Sequence, residues 1–202
     1  MTTRIIICRH GNTFDKGDVI TRVGARTDLP LSVSGRVQAE ALGAHFNSMN
    51  GEFKFDRAYC SDLSRTRQTA EAILSQNHDA ALLERVFLKE IDYGVDENIA
   101  EEDVVARLGQ DAISAWDSDA IVPDGWDVDP DQIRTDWRLF FEEMAQSPGD
   151  VLVVTSNGIA RFCLDVVDQI DGIAARKLKT GAFGLITCDA KGTRLSGWNT
   201  RP

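Results

Sequence analysis

An arginine, a histidine and a glycine stand together at Arg9-His10-Gly11, with Asn12 and Thr13 directly after them. A guanidinium and two short hydrogen-bonding side chains suit an oxyanion such as phosphate. Glycine lets the chain turn sharply and lets backbone N–H groups approach a ligand. An imidazole beside a bound phosphoryl group has the chemistry of a nucleophile. A second cation, Arg65, lies in Ser61-Asp62-Leu63-Ser64-Arg65-Thr66-Arg67. The spacing places it in the first turn of a helix, where free N–H groups and the helix dipole favour an anion. Two further groups of interest are the carboxylate of Glu90 and the segment Thr155-Ser156-Asn157-Gly158.

The elements that must position these residues are legible as apolar runs. Ile5 to Cys8 is continuous and β-branched, the pattern of a strand buried on both faces at the centre of a parallel sheet. Val151 to Thr155 is a second such run, and Phe55 to Cys60 a third strand. A short strand is expected near Arg85 to Leu88, and Phe183–Cys188 with Thr193–Trp198 reads as a hairpin at a sheet edge. Helices are expected from a cap at Ser32 or Ser34 to about Met49, and from a Ser61-Asp62 cap over Leu63 to Gln76. Others should cover Glu101–Leu108, Ala112–Trp116, Gln132–Ala145 and Ile159–Val167. Strands alternating with helices predict an α/β fold, a three-layer αβα sandwich with a mostly parallel sheet. In such a sheet the strand ends share one edge, so the residues above can converge.

Residues 14–31 lack periodicity and hold Gly17, Gly24 and Pro30, so they read as a long loop, a feature usually tied to function. Lys16, Arg22 and Arg26 lie in it, within reach of the first strand's end. Residues 95–130 are acidic and rich in breakers, and read as an insertion or lid within a single domain over 1–202.

The totals narrow the partners. With 202 residues the chain suits one sizeable domain. A net charge of −10 argues against nucleic acid and against an anionic membrane surface. No apolar stretch reaches the length of a membrane span, and no signal-peptide pattern opens the chain, so a cytoplasmic location is expected. Cys8, Cys60, Cys163 and Cys188 are scattered and read as small buried hydrophobes. Three separated histidines, His10, His45 and His78, leave nothing at ligand spacing to hold a metal. No cofactor is expected, and the chain should be a monomer or a homodimer.

Taken together, these motifs resemble the histidine phosphatase superfamily, the group that includes cofactor-dependent phosphoglycerate mutase. Arg9-His10-Gly11 is similar to that family's signature after its first strand. Asp28-Leu29-Pro30-Leu31, then Gly35 and Gln38-Ala39, resemble its D-x-P-L … G-x-x-Q-A segment. Ser61-x-Leu63-x-Arg65-Thr66-x-Gln68-Thr69-Ala70 resembles the stretch with its second phosphate-binding arginine, and Glu90-x-x-x-Gly94 its acid segment. The resemblance implies that His10 is a nucleophile forming a phosphohistidine. It implies that Arg9 and Arg65 hold phosphoryl oxygens, and that Glu90 protonates the leaving oxygen and then deprotonates water. Physical chemistry agrees, since two guanidiniums supply the electrostatics of phosphoryl transfer without a metal.

The sequence also departs from the family pattern. A second histidine is expected after the later central strand, and counting back from Arg161 puts Ser156 there. Ser156 and Asn157 can hydrogen-bond a phosphoryl oxygen but bring no positive charge. The family's Trp-Glu-Gly reads Asp96-Glu97-Asn98, and its later Gly-Glu reads Gly125-Trp126. The expected activity is metal-independent hydrolysis of a small phosphorylated metabolite. Two readings stay open beside it: a weakened or inactive member that binds a phosphorylated ligand or partner, and a phosphoglycerate mutase. Trp116, Trp126 and Trp137 are expected in packing and Arg161 in a structural role.

Overall fold

The computed structural model describes residues 2–48, 53–75, 79–172 and 175–202. Among these, seven strands form one sheet in the order β3-β2-β4-β1-β6-β7-β5. The strands are β1 (Thr3–Arg9), β2 (Phe55–Cys60), β3 (Leu82–Glu84), β4 (Gly149–Thr155), β5 (Gln169–Ile170), β6 (Phe183–Asp189) and β7 (Gly192–Thr200). Six helices accompany them: α1 (Val33–Ser48), α2 (Ser64–Leu74), α3 (Glu101–Leu108), α4 (Gln110–Asp119), α5 (Pro130–Ala145) and α6 (Asn157–Cys163). The run β3-β2-β4-β1 is parallel, and β6 joins β1 antiparallel.

Alternation along the strands sorts the core into two layers. Ile6 and Cys8 of β1 meet Leu42 and Phe46 of α1 and Ile73 of α2 on one face. Ile5 and Ile7 meet the aromatic layer of Trp116, Trp137 and Phe140 from α4 and α5 on the other. In α5, Trp137, Phe140, Phe141 and Met144 fall at i, i+3, i+4 and i+7, which puts all four on the buried side. Asp129 opens that helix, accepting from the N–H groups of Asp131 and Gln132, with Pro130 at the first helical position. The three tryptophans expected in packing are buried.

Several boundaries differ from expectation for physical reasons. The segment 85–88 is a single 3-10 turn (Val86–Leu88), and the strand lies earlier at Leu82–Glu84. Pairing of Ala58, Tyr59 and Cys60 with Leu82, Leu83 and Glu84 decides its place. α6 ends at Cys163, short of Val167. The β6–β7 hairpin is not at the edge, because Gln169 and Ile170 pair with Arg194 and Leu195. Two residues are too short a strand to leave a periodic signal. α2 begins at Ser64, and Ser61-Asp62 does not cap it. The carboxylate of Asp28 does so from the preceding loop, accepting from the Ser64 N–H and hydroxyl at 2.7 Å each. At α1 the Ser32 hydroxyl accepts from the Gly35 N–H at 3.1 Å. Asp15 reinforces this start, accepting from the N–H groups of Val33 and Ser34. Hydrogen bonds from Ser34 and Ser32 hold the Asp15 carboxyl down to about 2. The expected helix ends at Met49 and Gln76, and His78, lie outside the described residues.

Candidate active site

The carboxyl end of β1 opens on a cavity of about 520 Å³, which α2 and the segment carrying Glu90 also line. Arg9, His10, Asn12, Thr13, Arg65 and Glu90 all line it. These residues come from three separate stretches, and identifiable bonds bring them together. The His10 N–H donates to the Thr155 carbonyl at 3.2 Å, fixing the end of β1 against the end of β4. The Thr155 hydroxyl donates to the Leu88 carbonyl at 2.7 Å, which draws in the segment carrying Glu90. Thr69 of α2 accepts from the Gly11 N–H at 3.2 Å and donates to the Arg65 carbonyl at 2.8 Å. Gln38 of α1 accepts from the Asn12 N–H at 2.8 Å. Gly11 passes so close to α1 that a Cβ on it would stand 2.2 Å from the Gly35 carbonyl oxygen, a distance only glycine allows.

Protonation follows from these contacts. His10 Nδ1 lies 2.7 Å from the Gly11 carbonyl oxygen. A carbonyl only accepts, so Nδ1 carries the proton and Nε2 keeps its lone pair. Burial, with the charges of Arg65 and Arg9 added, pushes the imidazole well below its ordinary value of 6.5. The ring is therefore neutral at pH 7 and competent as a nucleophile. Burial pushes Glu90 the other way, above the ordinary carboxyl value. The Ile91 N–H at 2.9 Å, the two guanidiniums and the Gly158 N–H at 3.3 Å oppose that rise without cancelling it. A carboxyl held so is a proton donor.

The two arginines are cations without counter-anions, Arg65 buried and Arg9 partly so. Arg65 is fully buried, and among the described residues neither it nor Arg9 has a carboxylate within ion-pair distance. Arg9 donates from Nη1 to the Leu178 carbonyl at 2.9 Å. Arg65 donates to the carbonyls of Thr27, Val23 and Gly24 at 2.9, 3.3 and 3.1 Å. The Nε atoms of both are buried and unpartnered. Burying an unpaired guanidinium costs several kcal/mol, on the order of the penalty for one desolvated ion, and an arriving oxyanion offsets it.

Ser156 and Asn157 are not among the cavity walls. Ser156 is fully buried one residue past Thr155, and its Oγ has no hydrogen-bond partner. Asn157 spends its Oδ1 on the Leu178 N–H at 2.8 Å. Lys16 and Arg22 of the long loop do reach the cavity, whereas Arg26 turns away to Asp92 at 2.8 Å. Arg161 is fully buried over the Trp116 ring at 4.1 Å. Trp126 packs against Tyr93 and donates its N–H to Asp96, away from the cavity. Sequence reasoning missed Tyr93, Glu101, Asp117, Lys177 and Thr180 as lining residues. Only Tyr93 had a signal, its place three residues after Glu90; the rest reach the cavity by tertiary packing. Glu97 was noted only as part of a departure. Its Oε1 accepts from the Gly24 and Arg26 N–H groups and from the Thr27 hydroxyl, holding the loop whose carbonyls grip Arg65.

Comparison with known proteins identifies the family and the fold. The family model of the histidine phosphatase superfamily (branch 1) matches residues 5–201. The chain is 28% identical over 204 residues to a 2,3-bisphosphoglycerate-dependent phosphoglycerate mutase of Bartonella bacilliformis, covering 97% of each chain. Its fold is similar to that of the α-ribazole phosphatase of Shigella flexneri, with a TM-score of 0.72 at 21% identity, covering 98% of this chain and 97% of that one. It is also similar to a mycobacterial glucosyl-3-phosphoglycerate phosphatase in complex with VO3, with a TM-score of 0.78 at 21% identity and coverage of 98% and 99%. Phosphatases and mutases alike transfer a phosphoryl group, and with the family model spanning nearly its whole length the chain belongs to the histidine phosphatase superfamily.

Proposed function

We propose that this protein is a metal-independent phosphomonoesterase that hydrolyses a small phosphorylated metabolite through a phosphohistidine at His10. The observation that carries the reading is a pair of guanidiniums, one fully and one partly buried, each with a buried unpartnered Nε and free of carboxylate partners, beside an imidazole whose Nε2 lone pair is available. In the first step Nε2 attacks phosphorus and the ester P–O bond breaks. Glu90 gives its proton to the leaving oxygen. In the second step water attacks phosphorus, Glu90 takes its proton, and the P–N bond breaks to release phosphate. Arg9 and Arg65 hold the equatorial oxygens throughout. Residues 95–130 act as a lid on the same single domain. This role is supported by backbone bonds from Arg22 N–H to Ile99 and from Glu101 N–H to Ile20, which zip the segment to the 14–31 loop. Four free, buried cysteines suit a reducing cytoplasm.

The test is hydrolysis of phosphate esters in EDTA, with acid-quenched enzyme probed for label transferred from phosphate-labelled substrate. Turnover that survives chelation, with acid-labile label on the protein, supports the reading. Absence of both, with vanadate still bound, supports a binding protein without turnover, a reading that Ser156 in place of a second imidazole favours.

Two substitutions probe the roles. Glu90→Gln should lower kcat for an alkyl phosphate by about 10²–10⁴-fold. It should cost far less with p-nitrophenyl phosphate, whose leaving oxygen needs no proton. Equal losses on both esters would remove Glu90 from the acid role. Ser156→Ala removes a hydroxyl with no partner, so the melting temperature should stay within about 2 °C. Ser156 does not line the cavity, so we assign that hydroxyl to a phosphoryl oxygen only in a bound state that uncovers it. The same variant should then lose kcat by about 10²-fold, the scale of one oxyanion-hole donor. Unchanged kcat would leave Ser156 with no part in catalysis.

A further inference from the structure

The cavity is far larger than a phosphoryl group needs, and its charges are not spread evenly. Arg9 and Arg65 stand at the floor with no carboxylate partner. Away from that floor the wall carries three cations, Lys16, Arg22 and Lys177, and three carboxylates, Asp15, Glu101 and Asp117. Four of these six are joined in pairs. Arg22 Nη2 lies 2.5 Å from Glu101 Oε1, and Lys177 Nζ lies 2.8 Å from Asp117 Oδ2. Asp117 has Arg161 behind it at 3.5 Å, on the buried side away from the cavity. Asp15 is tied to the start of α1 and leaves Lys16 as its balance. The floor thus presents two positive charges, matching one dianionic phosphoryl group, and the outer wall sums to zero. What the wall does offer is polar. The Nε of Arg22 is buried and unpartnered, and Glu101 and Asp117 are acceptors at the rim.

We propose that the outer wall selects a phosphate monoester of a neutral, hydroxyl-bearing alcohol and rejects one whose leaving group carries a carboxylate or a second phosphate. The inference rests on the phosphomonoesterase reading of the same site. Its physical basis is that Arg22 and Lys177 are already ion-paired and that Lys16 is offset in the wall's total charge by Asp15. A second anion would meet Glu101 or Asp117 as a like charge in a partly desolvated place, a juxtaposition that costs binding. Hydroxyl groups meet the same carboxylates as donors and the Arg22 Nε–H as acceptors, with no charge left over. About 520 Å³ leaves room beyond the phosphoryl group for a sugar-sized polyol.

Two matched pairs of probes test this, since each pair differs mainly in a carboxylate: glycerol 3-phosphate with 3-phosphoglycerate, and glucose 6-phosphate with 6-phosphogluconate. Turnover is read with the wild-type protein, and binding with His10→Ala by calorimetry at fixed ionic strength. The neutral member of at least one pair should be preferred by about tenfold or more in both readouts. Glu101→Gln and Asp117→Asn each free one cation at the wall, so each should narrow that ratio by improving the carboxylated member. Equal or better binding of the carboxylated members by the parent protein overturns the proposal. So does a ratio that neither variant moves, and so does a failure of all four esters to bind. If the preference appears in binding while the wild type hydrolyses nothing, the phosphomonoesterase reading falls and the charge-matching inference stands.

Discussion

His10→Ala should abolish turnover, a loss of at least about 10⁴-fold by analogy with deleting the nucleophile from other covalent catalysts. The phosphoenzyme should disappear with it. Binding should persist, because the two uncompensated guanidiniums remain at the floor. A phosphate ester at saturation should therefore still raise the variant's melting temperature. The variant should also flatten one limb of the stability profile. In the native protein the imidazole is held neutral well below 6.5, whereas in the unfolded chain it titrates near that value. Below pH 6.5 the unfolded state binds the extra proton, so stability falls as pH drops from 6.5 toward the depressed native value. Removing His10 removes that component. Urea titrations of both proteins between pH 7 and pH 5 measure it. Retained turnover in His10→Ala, or an acid limb of unchanged depth, would count against a buried neutral nucleophile.

The two floor arginines should differ sharply in what their loss does to the fold. Both Arg9→Met and Arg65→Met should cost about 10²–10³-fold or more in kcat/KM, because each removes charge aimed at the phosphoryl oxygens. Their stabilities should part. Each substitution relieves the penalty of a buried unpaired cation. Each also orphans the carbonyls that the guanidinium served: one for Arg9 and three for Arg65. Two further unsatisfied carbonyls amount to about 2–4 kcal/mol. Arg9→Met should thus stay near the parent stability, and Arg65→Met should fall below it by that difference, about 4–16 °C in melting temperature for a chain of this size. Arg65→Lys should not restore the loss, since an ammonium cannot reach three carbonyls in a planar fork. Equal melting temperatures for the two methionine variants would mean that the loop at 23–27 does not depend on Arg65.

Residue types and apolar runs went far in this chain because its chemistry sits at the ends of its strongest strands. The runs at 5–8 and 151–155 marked two neighbouring strands, and Arg9-His10 and Thr155-Ser156 follow them. The motif residues without an evident chemical role turn out to be braces. Asp28 caps α2, Gln38 and Thr69 hold the backbone after β1, and Gln68 accepts from the Leu31 N–H. What stayed hidden is of another kind. Lys177 and Thr180 reach the cavity only because the chain before β6 crosses the end of β1, a pairing of residues far apart in sequence. The 85–88 strand was misplaced because Val86 is apolar yet almost wholly exposed, so local hydrophobicity pointed the wrong way. Capping of α2 was misassigned for a similar reason. The nearest Ser-Asp looked sufficient, and the working cap came from more than thirty residues upstream.

The place of β1 in the sheet bears on how the protein is made. β1 precedes every other described strand in the chain, yet its two neighbours are β4 and β6, which begin at Gly149 and Phe183. Until those have been synthesised, a strand with an apolar centre, Ile5 to Cys8, lacks the neighbours it pairs with. At translation rates of about 5–20 residues per second the wait lasts roughly seven to thirty seconds before residue 149 appears. For that interval the strand carrying His10 is an aggregation hazard held in check by whatever shields nascent chains. The floor of the cavity waits longer, for the segment whose Leu178 carbonyl accepts from Arg9. The site therefore cannot be complete until the chain has been made as far as Thr180, although Arg9 and His10 are made long before.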